Sequence, residues 1–95
     1  MTKQRIQIAK KLMGKKLEGE WVLLNLTNGV YYGLNETGSL IWDQLNSQKD
    51  PEEILGQLEE TFQVDRTTLS KDLKDFLSQL EKERLVRAER LSQKT

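Results

Sequence analysis

The residues of this sequence best placed for acid–base chemistry are carboxylates that occur in pairs. They are the adjacent pairs Glu52/Glu53 and Glu59/Glu60, and Asp72 with Asp75 at helical spacing. A carboxylate becomes a general acid or base when burial or a like charge shifts its pKa, and a helix face exposed to water supplies neither. We therefore interpret these side chains as solvated helix faces.

The composition of the chain also excludes most other catalytic chemistry. Its 95 residues include no histidine and no cysteine. The usual general base, the thiolate nucleophile and the commonest ligands of zinc are therefore missing. No P-loop pattern is present either. We predict that the protein is not an enzyme and uses no metal and no cofactor.

The formal net charge is zero, but the charges are unevenly distributed along the chain. Residues 1–20 are rich in lysine and arginine, whereas residues 50–65 hold six acids and no base. A basic arm can contact nucleic acid, but an acidic helix is repelled by a phosphate backbone. Apolar runs are short, and the first residues lack the pattern of a secretory signal. We expect no nucleic-acid partner, no membrane segment and a cytoplasmic location.

The first half of the sequence has the pattern of an antiparallel sheet. Residues 20–26 alternate as a strand with two apolar faces, and the pair Asn28-Gly29 predicts a type I′ turn. Residues 30–34 then form the return strand. The stretch from 5 to 17, in which Ile6 and Ile8 alternate, predicts a third, weaker strand.

The second half has the pattern of three helices with recognisable starts. Asn35 and Asp50 are predicted N-caps, Pro51 suits the first turn of the second helix, and the third helix is predicted to begin near Asp65 or Thr67. Apolar residues then recur at helical spacing as far as about residue 83. We expect one domain, with a core over residues 5–87 and a frayed tail over residues 88–95.

Two adjacent tyrosines draw attention to the strand at residues 30–34. Tyr31 and Tyr32 must point to opposite faces, so that one fills the core and the other is exposed. This strand carries no charge, whereas the basic first stretch is protected by lysines. An uncharged edge strand is a template to which a peptide can add as a further strand.

The block "YYGLNETGSLIW" at residues 31–42, together with the segments "DPEEILGQLEETFQVD" and "LSKDLKDFLSQLEKERLV", resembles the PqqD-like family. These proteins are the recognition elements of ribosomally made, modified peptides. The resemblance covers residues 17–87. It implies an α+β, winged helix-turn-helix-like fold, with a three-stranded antiparallel sheet followed by three helices. It also implies that the leader of a precursor peptide adds as a strand between the third strand and the third helix.

Site residues carry over from this resemblance at matching positions. The third strand supplies Val30, Tyr31, Tyr32, Gly33 and Leu34, and the third helix supplies Leu69, Asp72, Leu73 and Phe76. Rim contacts would come from Lys71, Lys74 and Asp75. The spacing of Leu69, Leu73 and Phe76 equally suits residues of the core.

The resemblance further implies a partner enzyme, because stand-alone members deliver the precursor to a separate protein. That enzyme is either the leader peptidase, with its cyclase, of lasso-peptide pathways or the radical SAM enzyme of pyrroloquinoline quinone synthesis. The Tyr-Tyr block favours the lasso type, whose leaders carry a Tyr-x-x-Pro pattern. A DNA-binding winged-helix regulator and a purely structural subunit are the alternatives. A monomer or a weak homodimer, paired through the edge strand, is compatible with the sequence.

Overall fold

The computed structural model describes residues 4–90 of the chain. Its elements in order are β1 (Gln4–Ile8), β2 (Leu12–Leu17), β3 (Glu20–Asn25), β4 (Tyr31–Gly33), α1 (Glu36–Asn46), α2 (Pro51–Thr61), α3 (Arg66–Lys82) and β5 (Val86–Arg90). Strands β2, β3 and β4 form an antiparallel sheet in that order, and the three helices follow it. The predicted α+β class, with a three-stranded sheet followed by three helices, is confirmed.

The N-terminal stretch differs from its prediction, because it forms two strands instead of one. Strand β1 pairs with β5 in a separate two-stranded sheet. Of the two N-terminal strands, β2 alone belongs to the three-stranded sheet, where it pairs with β3. The chain changes partner at Ala9, whose N–H donates to the carbonyl of Leu85. Residues 88–90, expected in a frayed tail, are thus part of β5, while residues 91–95 lie outside the described residues. The paired residues, from Gln4 with Arg90 to Ile8 with Val86, are far apart in the sequence. A local sequence pattern therefore could not predict that β1 pairs with β5.

The turns of the three-stranded sheet also differ from expectation. Both Glu18 (φ 51°) and Gly19 (φ 85°) have positive φ, so the type I′ geometry lies between β2 and β3. At Asn28-Gly29 only the glycine has positive φ, and the type I′ turn predicted there is wrong. The side-chain oxygens of Asn25 and Asn28 each accept from an amide two residues further on, which stabilises a wider loop.

The three predicted helix starts are confirmed by their caps. The side chains of Asn35, Asp50 and Asp65 accept hydrogen bonds from the backbone amides of Gly38, Glu53 and Thr68. Asp50 and Glu53 additionally form a reciprocal capping box. None of the helices within residues 4–90 is long and apolar enough to cross a membrane.

The core lies between the inner face of the three-stranded sheet and the three helices. Leu23 of β3 is fully buried there. The other buried apolar residues come from the helices and the segment after them: Ile41, Trp42, Leu45, Ile54, Leu55, Leu58, Leu69, Leu73, Leu80, Leu85 and Val86. No buried side-chain polar atom in the described part of the chain lacks a hydrogen-bond partner.

A polar contact fixes α1 against the sheet at one end of this core. The indole Nε1 of Trp21 donates to Oδ1 of Asp43 at 2.9 Å, and Nζ of Lys16 lies 2.9 Å from Oδ2. Partial burial by itself raises the pKa of Asp43, but the hydrogen bonds from Lys16 and Trp21 outweigh it and hold the pKa below its usual range. The pair therefore stabilises the ionised carboxylate.

Candidate functional site

Strand β4 is an edge of the three-stranded sheet, and it is the edge without charged side chains. The sheet has the order β2-β3-β4, so one side of β4 has no strand beside it within residues 4–90. The opposite edge, β2, carries Lys15 and Lys16. Lysines on an edge discourage the addition of another strand, and β4 lacks that protection.

The hydrogen bonds at the two ends of β4 show which of its backbone groups are free. The carbonyl of Val30 accepts from an amide of β3 at 3.0 Å, and the amide of Leu34 donates to a carbonyl of β3 at 2.8 Å. Residues of an antiparallel pair alternate between facing their partner and facing away. Tyr31 and Gly33 therefore direct both their N–H and their C=O groups to the open side.

The two tyrosines project to opposite faces, as predicted. Tyr31 is 69% exposed on the outer face, whereas Tyr32 is half-buried and packs against the core. The Tyr32 hydroxyl donates to Oε1 of Glu83 at 3.0 Å, which ties β4 to the C-terminal end of α3. Partial burial and the hydrogen bond to Glu83 both raise the pKa of the Tyr32 hydroxyl. This phenol stays a hydrogen-bond donor at neutral pH.

One face of α3, extended by its C-cap Glu83, contacts β4 at Tyr32 and the start of α1 at Gly38. Asp72, Phe76, Gln79 and Glu83 are spaced three or four residues apart and share this face. Nε2 of Gln79 donates to Oε2 of Glu83 at 3.1 Å. Further along, a Cβ added to Gly38 would lie 3.1 Å from the Phe76 ring, so the glycine lets this ring approach α1. We call these four residues the α3 row.

The backbone around Gly33 is open on its outer side. A Cβ added to Gly33 would meet no atom within 4 Å, and its φ lies outside the left-handed region. Neither packing nor backbone conformation within the described chain therefore requires a glycine here. A cavity of about 360 Å³ adjoins it, lined by Leu17, Glu20, Trp21, Val22, Gly33, Leu34 and Asn35. Another chain can approach closely at this position.

The residues predicted on the third helix divide into two groups. Leu69 (6% exposed) and Leu73 (4%) are buried in the core, in line with the alternative interpretation of their spacing. Phe76 is half-buried and Asp72 is exposed on the α3 row. At the predicted rim, Lys71 and Asp75 form an exposed ion pair at 3.3 Å, and Lys74 is exposed.

Gln79 and Glu83 complete the α3 row, and the sequence analysis missed them. They lie three and seven residues after Phe76, so helical spacing from that residue was the signal that could have found them. The spacing could not show where β4 lies. The contact between Tyr32 and Glu83 identifies this face of α3 as the one that meets the edge strand.

A comparison with protein families matches residues 20–86, from β3 to the start of β5, to the sequence profile of PqqD, described as coenzyme PQQ synthesis protein D. The chain belongs to the PqqD family. Within this PqqD-family chain, the match includes β4 and the whole of α3, which carry the candidate site. No curated protein sequence matches the chain significantly.

Two solved structures share the fold of this PqqD-family chain. The structure described as "TbiB1 in Complex with the TbiA(beta) Leader Peptide" is 38% identical with a TM-score of 0.83, and the match covers 85% of this chain and 94% of that one. A second, "Lasso peptide synthetase B1 complexed with the leader peptide", is 22% identical with a TM-score of 0.80, covering 86% and 96%. The second likeness supports the fold alone.

Proposed function

We propose that this protein binds the leader region of a ribosomally synthesised precursor peptide as a β-strand added to β4, and that it does so without catalysing a reaction. The observation that carries this proposal is the open backbone of Tyr31 and Gly33 at an uncharged edge. The 38% identical structure of a leader-peptide complex supports the choice of ligand.

An added strand would interact in different ways with the backbone of β4 and with the side chains of the α3 row. Backbone hydrogen bonds to Tyr31 and Gly33 would supply affinity that depends little on the sequence of the peptide. Alternate side chains of the peptide would point inward to Tyr32 and the α3 row, where they would be selected. The missing side chain of Gly33 would allow the peptide backbone to come close.

The bound leader would be delivered to a separate processing enzyme. We favour the leader peptidase and cyclase of a lasso-type pathway over the radical SAM enzyme of pyrroloquinoline quinone synthesis. The support for this preference is the Tyr-Tyr block at residues 31–42. The 38% identity to TbiB1 supports a leader peptide as the ligand. Because the precursor is made by ribosomes, we place the encounter in the cytoplasm, with the adaptor as a monomer or weak homodimer.

A titration of labelled leaders tests the proposal. A fluorescein-labelled lasso-type leader carrying Tyr-x-x-Pro, and a pyrroloquinoline-quinone-type precursor, are each titrated with the protein and followed by anisotropy. We expect saturable binding of the lasso-type leader. Phe76→Ala should weaken it at least about fivefold, since truncating an aromatic anchor of an interface costs upward of about 1 kcal/mol. Tyr32→Ala should weaken it as well.

The control is Phe62→Ala, which removes the other phenylalanine at a half-buried position after α2. Circular dichroism establishes that each variant still folds. Unchanged leader binding in folded Phe76→Ala and Tyr32→Ala variants would contradict the site. Salt-sensitive retardation of duplex DNA, with no binding of either leader, would instead support the DNA-binding alternative.

A further inference from the structure

Glu83 presents a carboxylate at the candidate site that is held only by neutral groups. Its Oε1 accepts from the Tyr32 hydroxyl at 3.0 Å and its Oε2 accepts from Gln79 at 3.1 Å. The ion pairs of the described residues involve Asp43, Glu52, Glu59 and Asp75, and none includes Glu83. This carboxylate is therefore held where β4 meets the end of α3, with no ion-pair partner within residues 4–90.

The charged residues near Glu83 form no ion pair with it among the described residues. On the α3 row, the other ionised residue is Asp72, which is exposed and acidic as well. Lys82 precedes Glu83 in the last turn of α3 and is exposed, and Lys71, nearer the start of the helix, is paired with Asp75. Arg84 follows Glu83 in the chain but lines a different cavity, with Lys10 and Glu81. The α3 row thus has an acid at each end and no basic residue.

The register of an added strand would bring one peptide side chain to Glu83. Residues directly opposite each other on neighbouring strands project to the same face, with their Cβ atoms roughly 5 Å apart. The residue opposite Tyr32 would therefore point inward beside the tyrosine ring. Since the Tyr32 hydroxyl itself contacts Glu83, a long side chain in that neighbouring position would reach the same carboxylate.

We propose that the peptide that adds to β4 carries a lysine or arginine opposite Tyr32, and that its cation pairs with Glu83. This inference rests on the proposed function and specifies the class of peptide: a strand with one basic side chain on its inward face. Glu83 already has its geometry fixed by Tyr32 and Gln79, so pairing requires little reordering of the carboxylate. Glu83 is accordingly a residue that determines specificity.

A charge scan tests this assignment. Each position of the fluorescein-labelled lasso-type leader is replaced in turn by lysine and by glutamate, and both peptides are titrated against the protein by anisotropy. At one position we expect the lysine peptide to bind roughly five- to tenfold more tightly than the glutamate peptide. Lysine would form a partly exposed ion pair with Glu83, whereas glutamate would be repelled by it. The preference should diminish as salt is raised.

Variants of Glu83 identify the partner of that position. Glu83→Gln keeps an acceptor for Tyr32 and should bring the lysine-to-glutamate ratio close to one, whereas Glu83→Lys should invert it. Glu81→Gln is the matched control, because it removes the same charge from the same helix on the side that faces Lys10 and Arg84. It should leave the ratio unchanged.

The outcomes separate this inference from the proposed function. If the parent leader binds but the ratio at every position is the same in wild type and Glu83→Lys, the role of Glu83 is overturned and the edge-strand site stands. If no peptide of the scan binds the wild-type protein, both proposals are overturned. Inversion confined to one position supports both and identifies the residue opposite Tyr32.

Discussion

The carboxylates of Asp43 and Glu83 both accept hydrogen bonds from side chains of the three-stranded sheet. They differ in whether a cation is paired with them. Asp43 accepts from Trp21 and is paired with the cation of Lys16. Glu83 accepts from Tyr32 and Gln79, both neutral. The first contact is complete within the chain and contributes to stability. The second leaves a negative charge unbalanced at the edge where we place the peptide.

The contact at Asp43 gives a prediction for stability. Asp43→Asn should lower the free energy of unfolding by about 0.5 kcal/mol at neutral pH, because it removes a solvent-screened ion pair while keeping an acceptor for Trp21. The pKa of Asp43 is lowered on folding, so this stabilisation is present above the ordinary aspartate pKa of about 3.9 and is lost as pH falls through the lower folded value. Urea unfolding followed by tryptophan fluorescence, at pH 7 and in acid, measures both effects.

The matched control is Asp75→Asn, which breaks the more exposed pair with Lys71. It should change the free energy of unfolding by less than the Asp43 variant, since highly exposed pairs contribute little. A loss in Asp43→Asn that is equally large in acid and at pH 7 would contradict the assigned role of the ion pair.

At the scale of elements, β4 is a short strand, and the candidate site depends on how it is placed between β3 and α3. Its three residues pair with β3 on one side, and Tyr32 reaches Glu83 of the α3 row. The caps at Asn35 and Asp65 fix where α1 and α3 begin, and so which residues of each helix come near the strand. Strand and helix together make a site that neither element could form alone.

The open edge of β4 gives a prediction that substitution can test directly. Tyr31→Pro removes an N–H that faces the open side, so the sheet should persist while an added strand loses a hydrogen bond. Leader binding should weaken at least about fivefold, because one such bond contributes about 1 kcal/mol. Anisotropy with the lasso-type leader measures the loss, and circular dichroism measures the fold.

Tyr31→Ala is the control for that experiment, since it removes the same exposed ring and keeps the amide. It should bind the leader more tightly than Tyr31→Pro. Equal affinities of the two folded variants would mean that the Tyr31 amide does not pair with the peptide.

At the scale of the whole molecule, the two sheets share one core. Strand β5 returns from the end of α3 to pair with β1, and Val86 at its start is only 5% exposed. Leu85 and Val86 pack with the residues of the three helices and with Leu23 of the other sheet. The N-terminal segment is therefore fixed to the end of α3, the end that also holds Glu83.

This shared core predicts that unfolding is cooperative. Val86→Ala should lower the free energy of unfolding by about 2 kcal/mol, because it removes two buried methyl groups. The control Val64→Ala, at a position 47% exposed, should change it by less than about 0.5 kcal/mol. Urea unfolding should give the same midpoint by circular dichroism and by tryptophan fluorescence. Separate midpoints for the two signals would show that the sheets unfold independently.

Local signals in the sequence determined the elements of the second half of the chain. The caps Asn35, Asp50 and Asp65 act on amides within their own first turn, so their effect is visible without any tertiary contact. Helical spacing likewise identified the buried faces. The resemblance of residues 31–42 to the PqqD-like family supplied the fold class and directed attention to the edge strand.

Tertiary structure decided the rest, because those features depend on partners far away in the chain. The pairing of β1 with β5 joins the two ends of the described chain, and the division of residues 5–17 into two strands follows from it. The α3 face beside β4 became identifiable only through the contact between Tyr32 and Glu83, 51 residues apart. A helical pattern shows that Phe76, Gln79 and Glu83 share a face, but only packing determines which strand that face meets.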